Sequence, residues 1–552
     1  MNTKYKFPHI LIGILMTSIL LGVSSCEKKL EQYPQDQFAE ATFWTNETNA
    51  MIALAGVYRG GIRYNTSEQN NPTDWWSQGG IIGLDGATDN LIDQAFSGSN
   101  YARLTNGELV SSNVVVRAYW SVSYQRIATC SRFLENIDKV PMDKTRKKRM
   151  TAEARFIRAC QYFYMSQFWG SVPLVTKTLT PDEANNVTKA PKTEIVQFVI
   201  TELKESAIDL PRFKDIPASE TGRASRQVAL AFLGRLYLAE KKYTEASDAY
   251  KQIIDFGDNI IDPNYQTIFL ASNENSKENI FSMQYYPGLA GNGVIYSAFP
   301  AMLGGNAYYS PLGSLADEYE FSDGTPFSYT DPRYNPKDIG ANRDPRFRFS
   351  LLWNNSTFQG KIYVSHLDST RSLDQLNPSK ISTRTGYSLR KYLDESFTGD
   401  KTSGYGGNIP IIRYAEVLLS YLEAELEAGH AISQSLLDMT INKVRGRASV
   451  NLPAITQTDP VLLRPILRKE RRVELAFEGL RYWDLLRWGI ADQVLTGDFW
   501  GAPFPDSKTY ADKSKKLDPD FRWWVTSKNF RKGQDEVWPV PESEVNINPK
   551  LR

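Results

Sequence analysis

RQVALAFLGRLYLAEKKYTEASDAYKQII, at residues 226–254, carries the clearest structural pattern of the chain. Its small and large residues fall at most of the offsets of a tetratricopeptide helix pair, with leucine where the motif has its first tryptophan: Leu230, Leu233, Gly234, Tyr237, Ala246 and Tyr250. Gly234 and Ala246 allow two antiparallel helices to approach closely, and Tyr237 and Tyr250 fill the space beside them. The stretch therefore predicts two packed helices.

Helical periodicity recurs elsewhere, and helix pairs of this kind stack because one pair alone cannot bury its apolar face. Long segments rich in Gly, Asn, Pro, Ser and Tyr separate the periodic stretches. We therefore predict a mostly α-helical fold, in which tetratricopeptide-like helix pairs carry large loop insertions with few short strands. The predicted helical segments are 43–58, 114–140 paired with 150–169, 194–209, and 413–429 paired with 432–447. The predicted loop regions are 60–113, 257–410 and 499–552, with strand-like pieces at 279–285 and 361–364.

The N-terminus has the parts of an export signal. Lys4 and Lys6 precede an apolar run at 10–23, which is too short to span a bilayer comfortably. Val23-Ser24-Ser25-Cys26 then resembles a bacterial lipobox, in which cleavage leaves Cys26 as a lipid-bearing N-terminus. The alternative is an ordinary secretory signal with an incidental cysteine. We expect residues 1–25 to be removed, 26–40 to form a tether, and the membrane to be contacted only through the lipid.

Composition excludes several classes of function. The formal net charge of +1 gives no basic excess for nucleic-acid binding. The three histidines, His9, His366 and His430, are too few for His-rich zinc sites and argue against a His-based catalytic triad. Phosphate-loop, HExxH and CxxC motifs are absent, so we predict no cofactor and no metal.

Two smaller groups of residues have open interpretations. Cys130 and Cys160 lie in helix-like apolar stretches and are either buried thiols or one disulfide. An acidic group at 317–323 lacks the spacing of a calcium loop, so a solvated acidic loop is favoured over a metal site: Asp317, Glu318, Glu320 and Asp323.

Residues 466–489 combine an apolar stripe with many charges. Val473, Phe477, Leu480 and Trp483 recur at helical spacing, and three glutamates share another face. Glu470, Glu474 and Glu478 need cations nearby, and Arg471, Arg481 and Arg487 are the candidates. One interpretation is an anionic-ligand or catalytic cluster. The other, which charge-rich helical faces favour, is an ion-paired helix within the stack.

The same stretch resembles the C-terminal signature of the SusD/RagB family, through Arg468-x-Glu470-Arg471, Glu474-Leu475-x-Phe477-Glu478-Gly479 and Asp484-Leu485-x-Arg487-Trp488-Gly489. Further blocks similar to the family occur in the same order along the chain. They are the lipobox and residues 42–44, 55–58, 152–159, 168–174, 223–225, 413–419 and 537–549.

This resemblance implies a fold and a function. SusD-like proteins are lipoproteins on the outer surface of the outer membrane, where each caps a SusC-type TonB-dependent transporter. They are not enzymes; they capture oligosaccharides or polysaccharides and pass them to the transporter. The resemblance implies a single SusD-like domain at 41–552, with an N-terminal part at 41–256 and a C-terminal part at 257–552. Two alternatives stay open: capture of peptides by the same fold, and, more distantly, a lipid-anchored glycoside hydrolase.

The resemblance also places the ligand face on the loops after the first helix and on the middle insertion. Aromatic rings stack on sugar rings, and Asp and Asn bond the hydroxyl groups. Trp75 and Trp76 have a second interpretation, in which the pair anchors its own loop into the helices. The candidate ligand residues are Asp74, Trp75, Trp76, Asp89, Asn90, Tyr101, Tyr285, Tyr286, Tyr296, Tyr308, Tyr309 and Trp353.

Overall fold

The computed structural model of the protein describes residues 43–60, 74–93, 101–509 and 518–552. The predicted export signal, the predicted lipid site at Cys26 and the predicted tether lie outside these residues. Within them, the longer helices are α1 (Glu47–Arg59), α2 (Val114–Asn136), α3 (Lys144–Phe168), α4 (Lys192–Asp209), α5 (Arg226–Ala239), α6 (Tyr243–Phe256), α7 (Tyr414–Glu427) and α8 (Pro460–Glu474). Shorter helices span Gln78–Ile81, Pro181–Ala184, Val294–Ala298, Gly313–Ala316, Pro345–Ser350, Gln434–Met439, Ile441–Arg445, Arg481–Arg487, Ala491–Val494 and Glu542–Ile547.

The α5–α6 pair forms as its sequence predicts. The Ser225 side chain caps α5 by accepting a hydrogen bond from the Val228 amide. Gly234 lies against the ring of Tyr250 on α6, where an added Cβ would come within 2.5 Å of Cζ. Helix α6 ends at Gly257, whose φ of 65° is left-handed and therefore suits glycine. Gly234 thus sets the distance between α5 and α6.

The long helices form one continuous stack. Each of α1 to α8 packs against the next one in the chain, which confirms the predicted helical scaffold. Helix α3 begins at Lys144, before the predicted residue 150, because the Asp143 side chain caps it by accepting from the Arg146 amide. The predicted helix at 432–447 is instead two short helices, because the chain turns at Thr440 with ψ of −98°.

The strands are few and short, as predicted, and they form two-stranded antiparallel sheets. In the described residues the pairs are β1 with β3, β2 with β8, β4 with β7, β5 with β6, and β9 with β10. Their bounds are β1 (Leu91–Asp93), β2 (Asn279–Met283), β3 (Tyr309–Pro311), β4 (Leu351–Leu352), β5 (Thr357–Phe358), β6 (Lys361–Ile362), β7 (Ser388–Leu389), β8 (Ile409–Arg413), β9 (Thr496–Pro503) and β10 (Arg522–Asn529).

The main hydrophobic core runs from Trp44 near the start of the described chain to Leu551 near its end, and a smaller cluster is formed around Leu485 and Phe530. Cys130 and Cys160 are buried free thiols within it. Burial raises the pKa of Cys130 to about 12, so its thiol is neutral at physiological pH. None of the helices in the described ranges combines the length and apolar character needed to cross a bilayer.

Candidate functional site

The aromatic pair after the first helix lies in the core. Trp75 and Trp76 each have an exposed fraction of 1%. The Trp75 ring stacks on Tyr164, with centroids 4.6 Å apart, and its Nε1 donates to Ser123 Oγ at 2.9 Å. Asp74 is likewise buried and pairs with Arg126 at 2.5 Å. This placement matches the interpretation in which the pair anchors its own loop, because a sugar ring has no access to the faces of Trp75.

Trp76 also reaches a cavity. Arg126 lies 5.0 Å from the centroid of its ring. One side of Trp76 lines a mostly apolar cavity of about 320 Å³ between α1 and β2, together with Leu54, Tyr58 and Phe281. Of the aromatic side chains that line it, Trp76 and Phe281 are buried, and Tyr58 is half-buried with its hydroxyl donating to Glu153 Oε2 at 2.8 Å.

Asp89, Asn90 and Tyr101 are buried as well, and they connect the first loop region to other elements. Asp89 pairs with Arg472 at 2.8 Å and with Arg481 at 2.9 Å. Burial alone would raise the pKa of Asp89, but the two guanidinium groups hold it well below its usual range. Asn90 Oδ1 accepts from Arg472 Nε at 2.9 Å, and the Tyr101 hydroxyl donates to the Gly79 carbonyl at 2.9 Å. These side chains hold the fold together.

The charge-rich stretch at 466–489 is an ion-paired structural element, as favoured above. Arg413 at the end of β8 binds Glu478 through Nε at 2.7 Å and Glu474 through Nη1 at 3.1 Å. Arg346 binds Glu470 at 2.6 Å and also contacts Glu474 at 2.9 Å. All five side chains are buried. Lys391, Arg445 and Arg447 supply further positive charge, so the three glutamates are bound by side chains of the protein rather than by a ligand.

The predicted partners of the three glutamates are wrong. Helix α8 ends at Glu474, and Phe477 and Gly479 then adopt φ of 66° and 73°, which breaks the expected single helix. The stripe from Val473 to Trp483 therefore does not lie on one helix. The predicted cations bind other carboxylates: Arg471 binds Asp484, Arg481 binds Asp89, and Arg487 binds Glu423 and Asp484.

The acidic group at 317–323 is ion-paired and only partly solvated, since Asp323 is exposed, Asp317 and Glu318 are half-buried, and Glu320 is buried. Each of the four carboxylates contacts a cation, which leaves no unpaired carboxylate within this group. The pairs are Asp317 with Arg522, Glu318 with Arg472, Glu320 with Lys469, and Asp323 with Arg333. In the described residues, no three His, Cys, Asp or Glu side chains are grouped to hold a metal ion.

The middle insertion divides its aromatic residues between the core and the surface. Tyr309 is buried, and its hydroxyl accepts from Gln78 Nε2 at 3.1 Å. Trp353 is buried and donates from Nε1 to Asp338 Oδ1 at 2.9 Å. The remaining four candidates reach solvent and are called the insertion face below: Tyr285, Tyr286, Tyr296 and Tyr308.

Backbone hydrogen bonds set the shape of this face. The Tyr308 amide donates to the Ser297 carbonyl at 2.8 Å and the Asn306 amide donates to the Tyr296 carbonyl at 3.1 Å, which brings Tyr296 and Tyr308 together. Burial and the neighbouring Tyr296 raise the pKa of Tyr308, so its hydroxyl is neutral at physiological pH. A neutral phenol offers both a donor and an acceptor beside a flat apolar ring.

Tyr286 is the most open part of the insertion face. It is 67% exposed, in a turn closed by hydrogen bonds in both directions between the backbones of Tyr286 and Ala290, each 2.8 Å long. Leu289 in the same turn is also 67% exposed. Tyr285 is anchored beside it, since its amide donates to Asn408 Oδ1 at 2.8 Å.

Asp93 is a polar group near this face that sequence reasoning missed. It is half-buried at the end of β1, directly opposite Tyr309 and therefore one residue from Tyr308. The β1–β3 pairing joins segments more than 200 residues apart, so no local pattern signals it.

Known protein families match both halves of the chain. A family model described as "SusD family" matches residues 266–552, and one described as "Starch-binding associating with outer membrane" matches residues 83–238. Over 579 aligned residues the chain is 24% identical to a SusD-like protein of Formosa agariphila, covering 99% of this chain and 98% of the relative.

The chain also superposes on solved structures of SusD-like proteins. A SusD-like carbohydrate-binding protein of Bacteroides fragilis superposes with a TM-score of 0.88 at 45% sequence identity, covering 93% of this chain and 100% of the other. A laminarin-binding SusD-like protein superposes with a TM-score of 0.68 at 22% identity, covering 92% and 98% of the two chains, which shows a shared fold.

Proposed function

The chain belongs to the SusD family, and from this premise we propose that it captures oligosaccharides or polysaccharides at the bacterial surface. The observation that carries the proposal is the insertion face, where tyrosines reach solvent while the other candidate residues serve the core. The 45% identity to a protein described as carbohydrate-binding supports the same ligand class. The protein acts by binding and carries out no hydrolysis.

The proposal includes an anchor and a partner. Cys26 bears the lipid that holds the protein on the outer membrane facing the exterior, and the captured glycan passes to a SusC-type TonB-dependent transporter. The lipobox and the family model described as associated with the outer membrane support this arrangement. Co-purification of a SusC-type barrel with the protein from its native membrane tests the partnership, and repeated failure to recover one contradicts it.

The ligand is tested by affinity electrophoresis of residues 27–552 through gels that each hold one polysaccharide, with starch and laminarin first in a broad panel. We expect one glycan to retard the protein and to release no products on incubation. Tyr286→Ala is expected to weaken the retardation with little change in Tm, because its side chain is mostly exposed.

Ile208→Ala is the matched control for this substitution. Ile208 is 70% exposed in the last turn of α4, so its truncation removes a similarly exposed apolar group that is not among the candidate ligand residues. Retardation that is equal in the two variants would remove Tyr286 from the site. Retardation of the wild-type protein by no member of the panel would contradict glycan capture itself.

A further inference from the structure

A groove of about 570 Å³ is bordered by the segment that follows β6 and by the loop that carries Met302. Ile362 and Leu373 in this groove are each 62% exposed, and Met302 is half-buried. Ligand sites combine such apolar groups with a small number of placed polar groups, so the charged side chains of the groove decide which ligand fits. The groove is lined by Met302, Ile362, Val364 and residues 368–374.

Asp374, one of the charged residues that line the groove, is bound by backbone amides. It is 1% exposed, and its carboxylate accepts hydrogen bonds from the amides of Ala301 at 2.6 Å and Met302 at 3.1 Å. These two amides belong to the segment between Tyr296 and Tyr308. Asp374 therefore fixes one wall of the groove to the segment that carries two tyrosines of the insertion face, and it has no role as a free acceptor for a ligand.

Asp368, a second charged residue of the groove, is bound in the same way. The Thr509 hydroxyl donates to its Oδ1 at 2.6 Å, and the Lys508 amide donates to its Oδ2 at 3.2 Å. The Ser507 hydroxyl also donates to Oδ1, at 3.1 Å. Both carboxylate oxygens thus have donors from the protein, and Asp368 holds the chain at 507–509 against the groove.

Arg371 is the third charged residue of the groove, and its side chain is exposed. Lys380 Nζ donates to the carbonyls of Thr370 and Ser372, each at 3.0 Å, which fixes the backbone on both sides of Arg371. Among the described residues the Arg371 guanidinium has no hydrogen-bond or ion-pair partner. Because both carboxylates are bound by the protein and Arg371 is not, the charge that the groove offers to a ligand is positive.

We propose that the groove binds an acidic sugar of the captured glycan, through a carboxylate or sulfate group that pairs with Arg371. The inference rests on the proposed function and adds the class of ligand, namely an acidic polysaccharide. A guanidinium presents its N–H groups in a fixed fork that matches two oxygens of either anion. Ile362 and Leu373 pack against the apolar groups of the same sugar.

The test is affinity electrophoresis of residues 27–552 through gels that hold polygalacturonate, a sulfated galactan, starch or laminarin. We expect an acidic polysaccharide to retard the wild-type protein, and polygalacturonate and the sulfated galactan distinguish a carboxylate from a sulfate. Arg371→Gln is expected to weaken this retardation about three- to tenfold. Added salt should weaken binding of the wild-type protein more than binding of the variant, because salt screens exposed charges.

Arg348→Gln is the matched control. Arg348 is also exposed, lies outside the lining of the groove and has no hydrogen-bond or ion-pair partner in the part of the chain that the structure describes. This variant is expected to bind the acidic polysaccharide as the wild-type protein does. Reducing the carboxylates to alcohols, or removing the sulfates, gives a neutral polymer with the same linkages. That polymer should bind the wild-type protein and Arg371→Gln equally.

Two results would overturn the acidic ligand while the proposed function stands. One is equal retardation of the Arg371 and Arg348 variants by the acidic polysaccharide, and the other is retardation of the wild-type protein by neutral polysaccharides alone. Retardation by no polysaccharide of the panel would instead overturn the proposed function, and this inference with it.

Discussion

Replacing Arg413 by methionine tests whether the charges of the family signature stabilise the fold. Arg413 is 1% exposed and binds Glu478 twice, each time at 2.7 Å, and Glu474 at 3.1 Å. Methionine fills much of the same volume but removes the charge. After the change Glu474 keeps Arg447 at 2.7 Å and Arg346 at 2.9 Å, whereas Glu478 keeps only Lys391 at 2.7 Å. Glu478 is then a buried carboxylate without its main partner.

Breaking a buried ion pair by removing one partner costs about 3–5 kcal/mol. For a domain of roughly 500 residues, the entropy of unfolding is on the order of 1 kcal/mol per kelvin, so Tm should fall by about 3–5 °C. The control is Arg464→Met on α8, because Arg464 is 34% exposed and pairs with Glu427 at 2.7 Å near the surface. A partly exposed pair contributes below about 1 kcal/mol, so this variant should shift Tm by less than 1 °C.

The pH dependence of the stability lost in Arg413→Met gives a second test. Burial raises the pKa of Glu478, but Arg413 and Lys391 more than offset it, so its pKa is lowered and its contribution to stability is present above the unfolded pKa. In Arg413→Met the pKa of Glu478 rises, and ionisation then destabilises the fold as pH increases through the new value. Calorimetry should therefore show a larger loss at pH 8 than at pH 5. Equal Tm values for the Arg413 and Arg464 variants at both pH values would refute this reasoning.

Two further predictions concern stability. Gly234→Ala should lower Tm, because the added Cβ would lie 2.5 Å from the Tyr250 ring and overpacking costs about 1–3 kcal/mol. Gly56→Ala in α1 is the control: its Cβ meets nothing within 4 Å, so this variant should raise stability by about 0.5–1 kcal/mol. A Tm change of the same sign in both glycine variants would contradict the packing argument. Burial raises the pKa of Asp85 to about 7, so its contribution to stability is present below the unfolded pKa and lost as pH rises through about 7. In Asp85→Asn, Tm should therefore fall less between pH 5 and 8 than it does in the wild-type protein. An equal fall in the two proteins would contradict this role of Asp85.

The scaffold could be predicted from the sequence because its determinants are local. Gly234 and Tyr250 are sixteen residues apart, and their offsets alone specify how α5 meets α6. The same holds for α2 and α3, whose periodic apolar residues and Asn113 and Asp143 caps lie within the helices or next to them. Local signals of this kind can be recognised in a single sequence.

The position of the first loop region could not be predicted, because its burial depends on distant partners. Asp85 Oδ2 accepts a hydrogen bond from the Phe477 amide at 2.6 Å, and Asp89 pairs with Arg481. Both contacts join residues 392 apart in the chain. A Gly- and Asn-rich composition suggested an exposed ligand loop, whereas these contacts fix residues 74–93 inside the molecule.

Neighbouring aromatic residues in this chain differ in burial although they are the same residue type. In β3 Tyr309 points inward to Gln78, while Tyr308, just before the strand, reaches solvent. In β10 Trp523 is buried, while Trp524 is half-exposed. The sequence alone does not show which ring of each pair is buried, because the register that sets the alternation comes from a partner strand elsewhere in the chain. The buried ring of each pair packs into the core and fixes the strand, and this gives the half-buried ring beside it a defined position at the surface.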